Sequence, residues 1–415
     1  NSKKPNYILD FNSKIPKNWV KYYYSRKYFK TMDIKREVEI DKLLKKDKAL
    51  LIYGARQVGK TTLVKNFLLK NKSKFRQHTG EDIRLQILFK DLSIADLDEF
   101  VENLEILIID EAQILENLGR GIKLILDRNP KLAVILTGSS SFELANQLSE
   151  PLTGRKKTQC LLPLSIKELS LHYEKYEVKH KLEELLLYGS YPEIITTENK
   201  HEKRELILEI ANSYLFKDIL SFLNLKKADV LYKLTKLLAY QISSEVNVNE
   251  LASNLQVDNK TITHYLDILE KSFVIKMIPA FNSNQRNEIK KSKKIYFLDL
   301  GIRNALINQF QDIELRNDKG ALWENFVFLE LYKRIEYDRS FKTIYFWRTH
   351  EQQEIDFILE ADGLLELYEA KFNAKKNAKI PPQWLKHYPE FQELKLIHTG
   401  NFMDYFMQCI KNNQI

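Results

Sequence analysis

The sequence predicts an α/β protein: a parallel sheet between helices, followed by helical and mixed segments. Three stretches carry that prediction. Ala49–Tyr53 is a short apolar run, Gly54–Thr61 a glycine-bearing loop, and Thr62–Leu69 has apolar residues at helical spacing. Ile106-Leu107-Ile108-Ile109 is an unbroken aliphatic run, the pattern of a strand buried on both faces of a parallel sheet. Farther on, Thr343–Arg348, Glu354–Glu360 and Leu364–Phe372 read as strands, with Asp362-Gly363 a two-residue hairpin turn between the last two.

The chain has 415 residues, enough for about two to four domains and an ample core. Its 44% apolar and 29% charged residues are those of an ordinary globular protein. The net charge of +9 favours an anionic partner, DNA foremost, although a lysine-rich proteome would give the same balance. Cys160 and Cys409 are far apart, form no metal or disulfide pattern, and fit a reducing, cytoplasmic setting. No apolar run is long enough to span a bilayer, so no membrane association is expected.

Residues 1–31 lack an initiating Met and show no clear period, whereas Met32-Asp33-Ile34 reads as a natural start. The first 31 residues are therefore set apart as an extension, with a native N-terminal arm as the alternative. Residues 34–46 are expected to form a short amphipathic helix. The loop that follows fits G-x-x-x-x-G-K-[ST] in its required context of strand, loop and helix. Gly54, Ala55, Arg56, Gln57, Val58, Gly59, Lys60, Thr61 and Thr62 are the expected contacts to a nucleoside triphosphate. The glycines let backbone N–H groups face the phosphates, and the helix N-terminus adds favourable partial charge. Lys60 would reach the β- and γ-phosphates, and Thr61 would offer its hydroxyl to Mg²⁺.

Asp110 and Glu111 emerge at the end of the 104–109 strand, where open α/β sheets place ligands. Asp110 is expected to hold Mg²⁺, and Glu111 to polarise the attacking water as the catalytic base. Leu132–Thr137 is a third strand, running into Gly138-Ser139-Ser140-Ser141. Thr137 and Ser139 are candidates to sense the γ-phosphate; the alternative is a serine-rich cap for a helix starting near Phe142. Thr158–Leu162 is strand-like, and Ser165 to Glu168 has capping-box spacing. Arg155 is either a trigger for phosphoryl transfer, in cis or from a neighbouring subunit, or a surface arginine in a basic turn.

The set Gly54–Thr61, Asp110-Glu111-Ala112-Gln113, Leu136–Ser141, Gly154-Arg155-Lys156, Pro163-Leu164-Ser165 and Gly189-Ser190-Tyr191-Pro192-Glu193 resembles prokaryotic AAA-type ATPases of the archaeal-ATPase-like branch. Members join an ATPase module to a C-terminal domain of unknown function. The resemblance implies a P-loop NTPase αβα sandwich that binds and hydrolyses ATP with Mg²⁺. It covers the chain from Met32 onward, with the ATPase core at 32–198 and a helical lid at 199–245.

Val248–Leu255 and Asp258–Leu269 read as two short helices about a turn, with Asp258 as N-cap and Ile262, Tyr265, Leu266 and Leu269 on one apolar face. With the strand Phe273–Ile278 and a basic Arg286–Lys294 tract as wing, residues 246–292 are expected to form a winged helix-turn-helix. Asn259, Lys260, Thr263 and His264 would face DNA; a scaffold role is the alternative.

The hairpin turn at 362–363 sets Asp356 opposite Glu369 and Glu354 opposite Lys371, all on one face. Opposed Cβ atoms lie roughly 5 Å apart, so paired carboxylates repel unless a cation joins them. The pattern Asp356, Glu369-Ala370-Lys371 resembles the PD-(D/E)xK nuclease family, although Ile355 stands where that motif has proline. The resemblance implies an α/β restriction-endonuclease-like domain over 293–415. In it Glu324, Asp356 and Glu369 would hold a second divalent metal, Mg²⁺ or Mn²⁺, and Lys371 would act in catalysis. The alternative is a Glu354–Lys371 cross-strand salt bridge with Asp356 facing solvent. Two functions follow: an ATPase coupled to DNA binding and cleavage, or an ATP-driven switch whose dead nuclease fold docks DNA or protein. Self-association is compatible with both.

Overall fold

The computed structural model describes residues 34–139, 152–213, 228–281, 293–349, 351–373, 378–388 and 393–407. β1 (Ala49–Tyr53), β2 (Phe75–Thr79), β3 (Ile106–Asp110), β4 (Ala133–Gly138) and β5 (Lys156–Cys160) form one sheet in the order β2-β3-β4-β1-β5. Every pairing in it is parallel. The three central strands are the aliphatic runs, buried along almost their whole length, as a sheet covered on both faces requires.

Successive residues of β1 divide between two cores. Leu50 and Ile52 face the Lys60–Lys70 helix, whereas Ala49 and Leu51 face Phe89 and the Leu118–Arg128 helix. The first core continues without a break through the later helices into the C-terminal part, and Ile34–Ile415 form one unit.

The expected helix over 34–46 is corrected: only Ile40–Leu43 is helical. Ile34, Arg36, Val38 and Ile40 are buried and alternate with less buried neighbours, so the segment packs at period two rather than 3.6. Arg36 occupies one of the inward positions. The helix proposed near Phe142 lies outside the described residues.

Helices Lys200–Asn212 and Ala228–Tyr240 precede the Val248–Leu255 and Asn259–Lys271 pair. Asp258 caps the last of these by accepting the Thr261 N–H at 2.8 Å, and Ile262, Tyr265, Leu266 and Leu269 are buried on one face. β6 (Ile275–Pro279) pairs antiparallel with β7 (Lys293–Phe297). Position 293 therefore lies within a hairpin that packs with the helix pair, not at the start of a separate element. Of the supposed basic wing, residues 286–292 lie outside the described residues, and Lys294 is buried in β7.

The C-terminal sheet contains β8 (Thr343–Arg348), β9 (Glu354–Ala361), β10 (Leu364–Ala370) and β11 (Leu394–Ile397), in the order β11-β10-β9-β8. The hairpin register is the expected one from Leu364↔Ala361 to Tyr368↔Phe357. Asp362 and Gly363 both have positive φ, 51° and 79°, as a two-residue turn of this hand demands. The 20-residue helix Lys319–Asp338 packs on this sheet and reaches the N-terminal module.

Candidate functional site

The loop Gly54–Thr61 leaves the carboxyl end of β1, and β4 lies between β1 and β3. Asp110 and Glu111 thus approach from two strands away, and Thr137 and Ser139 emerge between them and the loop. A side chain at Gly54 would place its Cβ 2.1 Å from the Leu161 carbonyl oxygen, so the backbone there tolerates only glycine. Gly59 opens the Lys60–Lys70 helix with φ of 97°. Arg56, Gln57 and Thr62 face solvent, while Ala55 and Val58 are buried beneath the loop.

Lys60 is 5% exposed and donates to the carbonyls of Gly54 at 3.0 Å and Ala55 at 2.9 Å. Burial pulls its pKa down to about 8, against the opposing pull of Glu111 and Asp110. A buried ammonium whose direct partners are neutral carbonyls suits a phosphate, which would supply the missing counter-charge. The Thr61 hydroxyl donates to Asp110 Oδ2 at 2.8 Å, and the Thr137 hydroxyl donates to Asp110 Oδ1. Gln113 Nε2 donates to Glu111 Oε2 at 2.6 Å and to Ser139 Oγ at 3.3 Å. Glu111 itself has φ of 48°, a left-handed conformation that turns its carboxylate toward Ser139. These donors fit Mg²⁺ with a triphosphate: Lys60 for phosphate, Thr61 and Asp110 for the ion, Glu111 for water. Gln113 was part of the sequence motif, but its task of holding Glu111 was not foreseen.

Arg155 is placed elsewhere. Its carbonyl accepts the Ala49 N–H at 2.9 Å, at the start of β1, whereas the loop follows the end of that strand. Five residues of strand separate the two, roughly 17 Å at the usual rise per residue. Its guanidinium pairs with Asp127, and with Asp47 at 3.8 Å. The expectation that Arg155 triggers phosphoryl transfer in cis is therefore corrected.

Arg36 is the residue that sequence reasoning missed. Its buried guanidinium donates to Val58 O in the loop at 2.7 Å, Leu162 O at 2.6 Å, Glu168 Oε1 at 2.8 Å and Tyr337 Oη at 3.1 Å. Glu330 and Lys333, on the same long helix as Tyr337, bind Ile166 N–H and Leu164 O, each at 2.8 Å. The motifs Pro163-Leu164-Ser165 and Gly189-Ser190 thus form the seam between the nucleotide module and the C-terminal part. The sequence signal was the alternation of Ile34, Val38 and Ile40, with Arg36 standing in the one inward position that is not apolar.

The far end of that helix carries Glu324. Glu324, Asp356, Glu369 and Lys371 come close enough to perturb one another, and burial pushes the three carboxyls above their usual range. Asp356 is buried rather than solvent-facing and accepts the Ala370 N–H at 2.8 Å. Lys371 does not pair with Glu354; it lies 2.6 Å from Glu369 Oε1 and is half exposed. Lys294, 3% exposed, pairs instead with Glu354 and, at 3.1 Å, with Glu324. Burial works against its charge, but Glu324, Glu354 and Asp356 together raise its pKa. Among the described residues, no group of three His, Cys, Asp or Glu side chains is arranged to hold a metal ion. Lys371 offsets Glu369 and Lys294 offsets Glu324 and Glu354, while Asp356 still pushes the Glu369 pKa up.

On the Asn259–Lys271 helix, Asn259, Lys260, Thr263 and His264 are exposed. The Asn259 side chain donates to Asn249 Oδ1 at 2.7 Å and so ties the two helices together. No described helix is long and apolar enough to cross a membrane.

Three family models match in succession: an AAA domain over residues 46–170, a domain of unknown function (DUF8612) over 179–313, and a domain of unknown function (DUF4143) over 319–411. With the loop geometry, the first match defines residues 46–170 as an AAA-type P-loop domain. The chain is also similar to two uncharacterized proteins. MJ1544 of Methanocaldococcus jannaschii is 24% identical over 352 residues, covering 79% of this chain and 75% of that one. Rv2008c of Mycobacterium tuberculosis is 27% identical over 321 residues, covering 76% and 68%. Among solved structures, a RuvB variant of Thermotoga maritima covers 59% of this chain and 87% of its own at 17% identity, with a TM-score of 0.27, too low to carry an argument.

Proposed function

We propose that the protein is a Mg²⁺-dependent ATPase whose nucleotide state controls its hold on DNA. The observation that carries the ATPase reading is the convergence of Lys60, Thr61, Asp110 and Glu111 at the carboxyl ends of β1 and β3. Lys60 exchanges its loop carbonyls for phosphate oxygens. Thr61 and Asp110 hold the ion, with Thr137 fixing Asp110. Glu111, aimed by Gln113 and Ser139, draws a proton from the attacking water. Bound Mg²⁺ would offset charge on the phosphate oxygens. The coupling route is the seam: Arg36 ties Val58 of the loop to Tyr337, on the helix that carries Glu324.

We read the C-terminal sheet as a nuclease-like fold that holds DNA without cutting it, because Lys294 lies between Glu324 and Glu354. The cutting reading keeps one observation in its favour, the Asp356, Glu369 and Lys371 set on a single face. Incubating plasmid with the protein, MgATP and Mn²⁺ separates the two. Intact plasmid together with an ATP-dependent mobility shift supports holding. Cleavage that vanishes in Asp356→Ala establishes cutting, and absence of both shift and cleavage removes DNA from the account.

A further inference from the structure

In a parallel sheet every strand starts at the same end. Here that end, opposite the nucleotide loop, is crowded with cations. Lys48 immediately precedes β1, Lys131 stands two residues before β4, and Lys156 and Lys157 open β5. Backbone bonds hold these starts side by side: Asp47 N–H donates to Leu132 O at 2.9 Å, Val134 N–H to Lys48 O at 3.2 Å, and Ala49 N–H to Arg155 O at 2.9 Å. Lys45 lies just upstream, and Arg339, at the C-terminus of the long helix, joins the group.

Of the acids at this end, Asp47 and Asp127 are engaged by Arg155, Glu105 stands immediately before β3, and Glu336 lies near Arg339, so the cations gather at the starts of β4, β1 and β5. Among the described residues Lys45, Lys48, Lys131, Lys156, Lys157 and Arg339 make no ion pair. Arg339 Nη1 is also buried with no hydrogen-bond partner. Lys157 has its pKa lowered, first by burial and then by Arg339, Lys45 and Lys48, which is the mark of like charges crowded together.

We infer that this end of the sheet is a docking surface for the phosphate backbone of duplex DNA. Adjacent strands lie about 5 Å apart, so the strand starts present cations in a row, which suits a linear polyanion better than a point ligand. Lysine and arginine contacts to phosphate carry no sequence information, so binding through this surface is expected to be independent of sequence. This inference rests on the reading that DNA is the partner. It moves the main electrostatic contact from the weakly charged Asn259–Lys271 helix to the base of the nucleotide module.

The test measures binding of a random-sequence duplex across a salt series. It compares the wild-type protein, the variant Lys45→Gln/Lys48→Gln/Lys157→Gln/Arg339→Gln, and a charge-matched control with Lys90, Lys175, Lys179 and Lys233 changed to Gln. Losing four phosphate contacts should make the slope of log affinity on log salt shallower by about 3 to 4 and weaken binding by roughly 10- to 100-fold at moderate salt. The control should stay within about threefold of wild type, and all three proteins should bind nucleotide equally, which shows that the variants are folded. Wild-type affinity and slope in the first variant would overturn this surface and leave the DNA reading standing. An equal loss in the control would likewise overturn it, because net charge alone would then explain the effect. A wild-type protein that does not bind the duplex would overturn both.

Discussion

Replacing Arg36 by Met removes the clamp between the nucleotide loop and the rest of the chain. The side chains are similar in length, so the change deletes charge and hydrogen bonds more than volume. Four bonds of 2.6–3.1 Å are lost, to Val58 O, Leu162 O, Glu168 and Tyr337. Glu168 is the expensive remainder: it has 0% exposure and loses its only ion-pair partner among the described residues, keeping the N–H groups of Glu37 and Ser165. Breaking a buried pair from one side destabilises by about 3–5 kcal/mol, a large share of typical stability. Urea unfolding of wild type, Arg36→Met, Glu168→Gln and the double variant gives the coupling directly. The double variant should be more stable than Arg36→Met by about 1–3 kcal/mol, because the stranded charge is gone. Nucleotide affinity of Arg36→Met should fall about tenfold as the Val58 carbonyl loses its anchor. A loss below about 1 kcal/mol, with unchanged nucleotide affinity, would refute the clamp.

Lys60→Ala should lower MgATP turnover at least 100-fold in a phosphate-release assay, whereas Glu111→Gln should lose turnover by about 10²- to 10⁴-fold yet bind ATP within about threefold of wild type. Arg155→Ala should leave turnover of the dilute protein within about twofold, since its side chain lies at the opposite end of the sheet. Asp299 is buried and accepts the N–H groups of Ser190 at 2.8 Å and Ile302 at 3.1 Å; burial, opposed by those bonds, lifts its pKa to about 6. The folded state therefore binds its proton more tightly than the unfolded chain does. This carboxyl favours folding below its unfolded value, and its contribution is lost as pH rises through about 6, by about 1 kcal/mol between pH 5 and 7. Asp299→Asn should remove that part of the pH dependence, measured by unfolding at the two pH values, while costing about 1 kcal/mol overall through the lost second acceptor.

The nucleotide site was legible because each of its parts is local. A buried aliphatic strand, a glycine loop and an apolar-periodic helix announce themselves within a few residues, and the two carboxylates stand at the end of a strand. The C-terminal hairpin was legible for the same reason, since Asp362-Gly363 fixes both turn and register. β2 was not legible: Phe75-Arg76-Gln77-His78-Thr79 is a polar edge strand, specified by its pairing to β3 rather than by its own pattern. Arg36 hid because a cation in an inward slot breaks the apolar alternation of its segment. Lys294 hid because its partners, Glu324 and Glu354, lie 30 and 60 positions away and meet it only through tertiary packing. The position of Arg155 depends on β5 lying beside β1, a strand order that no local pattern encodes.

The measurement that bears most directly on the central claim is duplex-DNA affinity in two nucleotide states. Glu111→Gln with saturating MgATP holds the loop filled without turnover, and the same variant without nucleotide holds it empty. The two affinities should differ by at least tenfold, and Arg36→Met should abolish the difference. Equal affinities in the two states would contradict the claim.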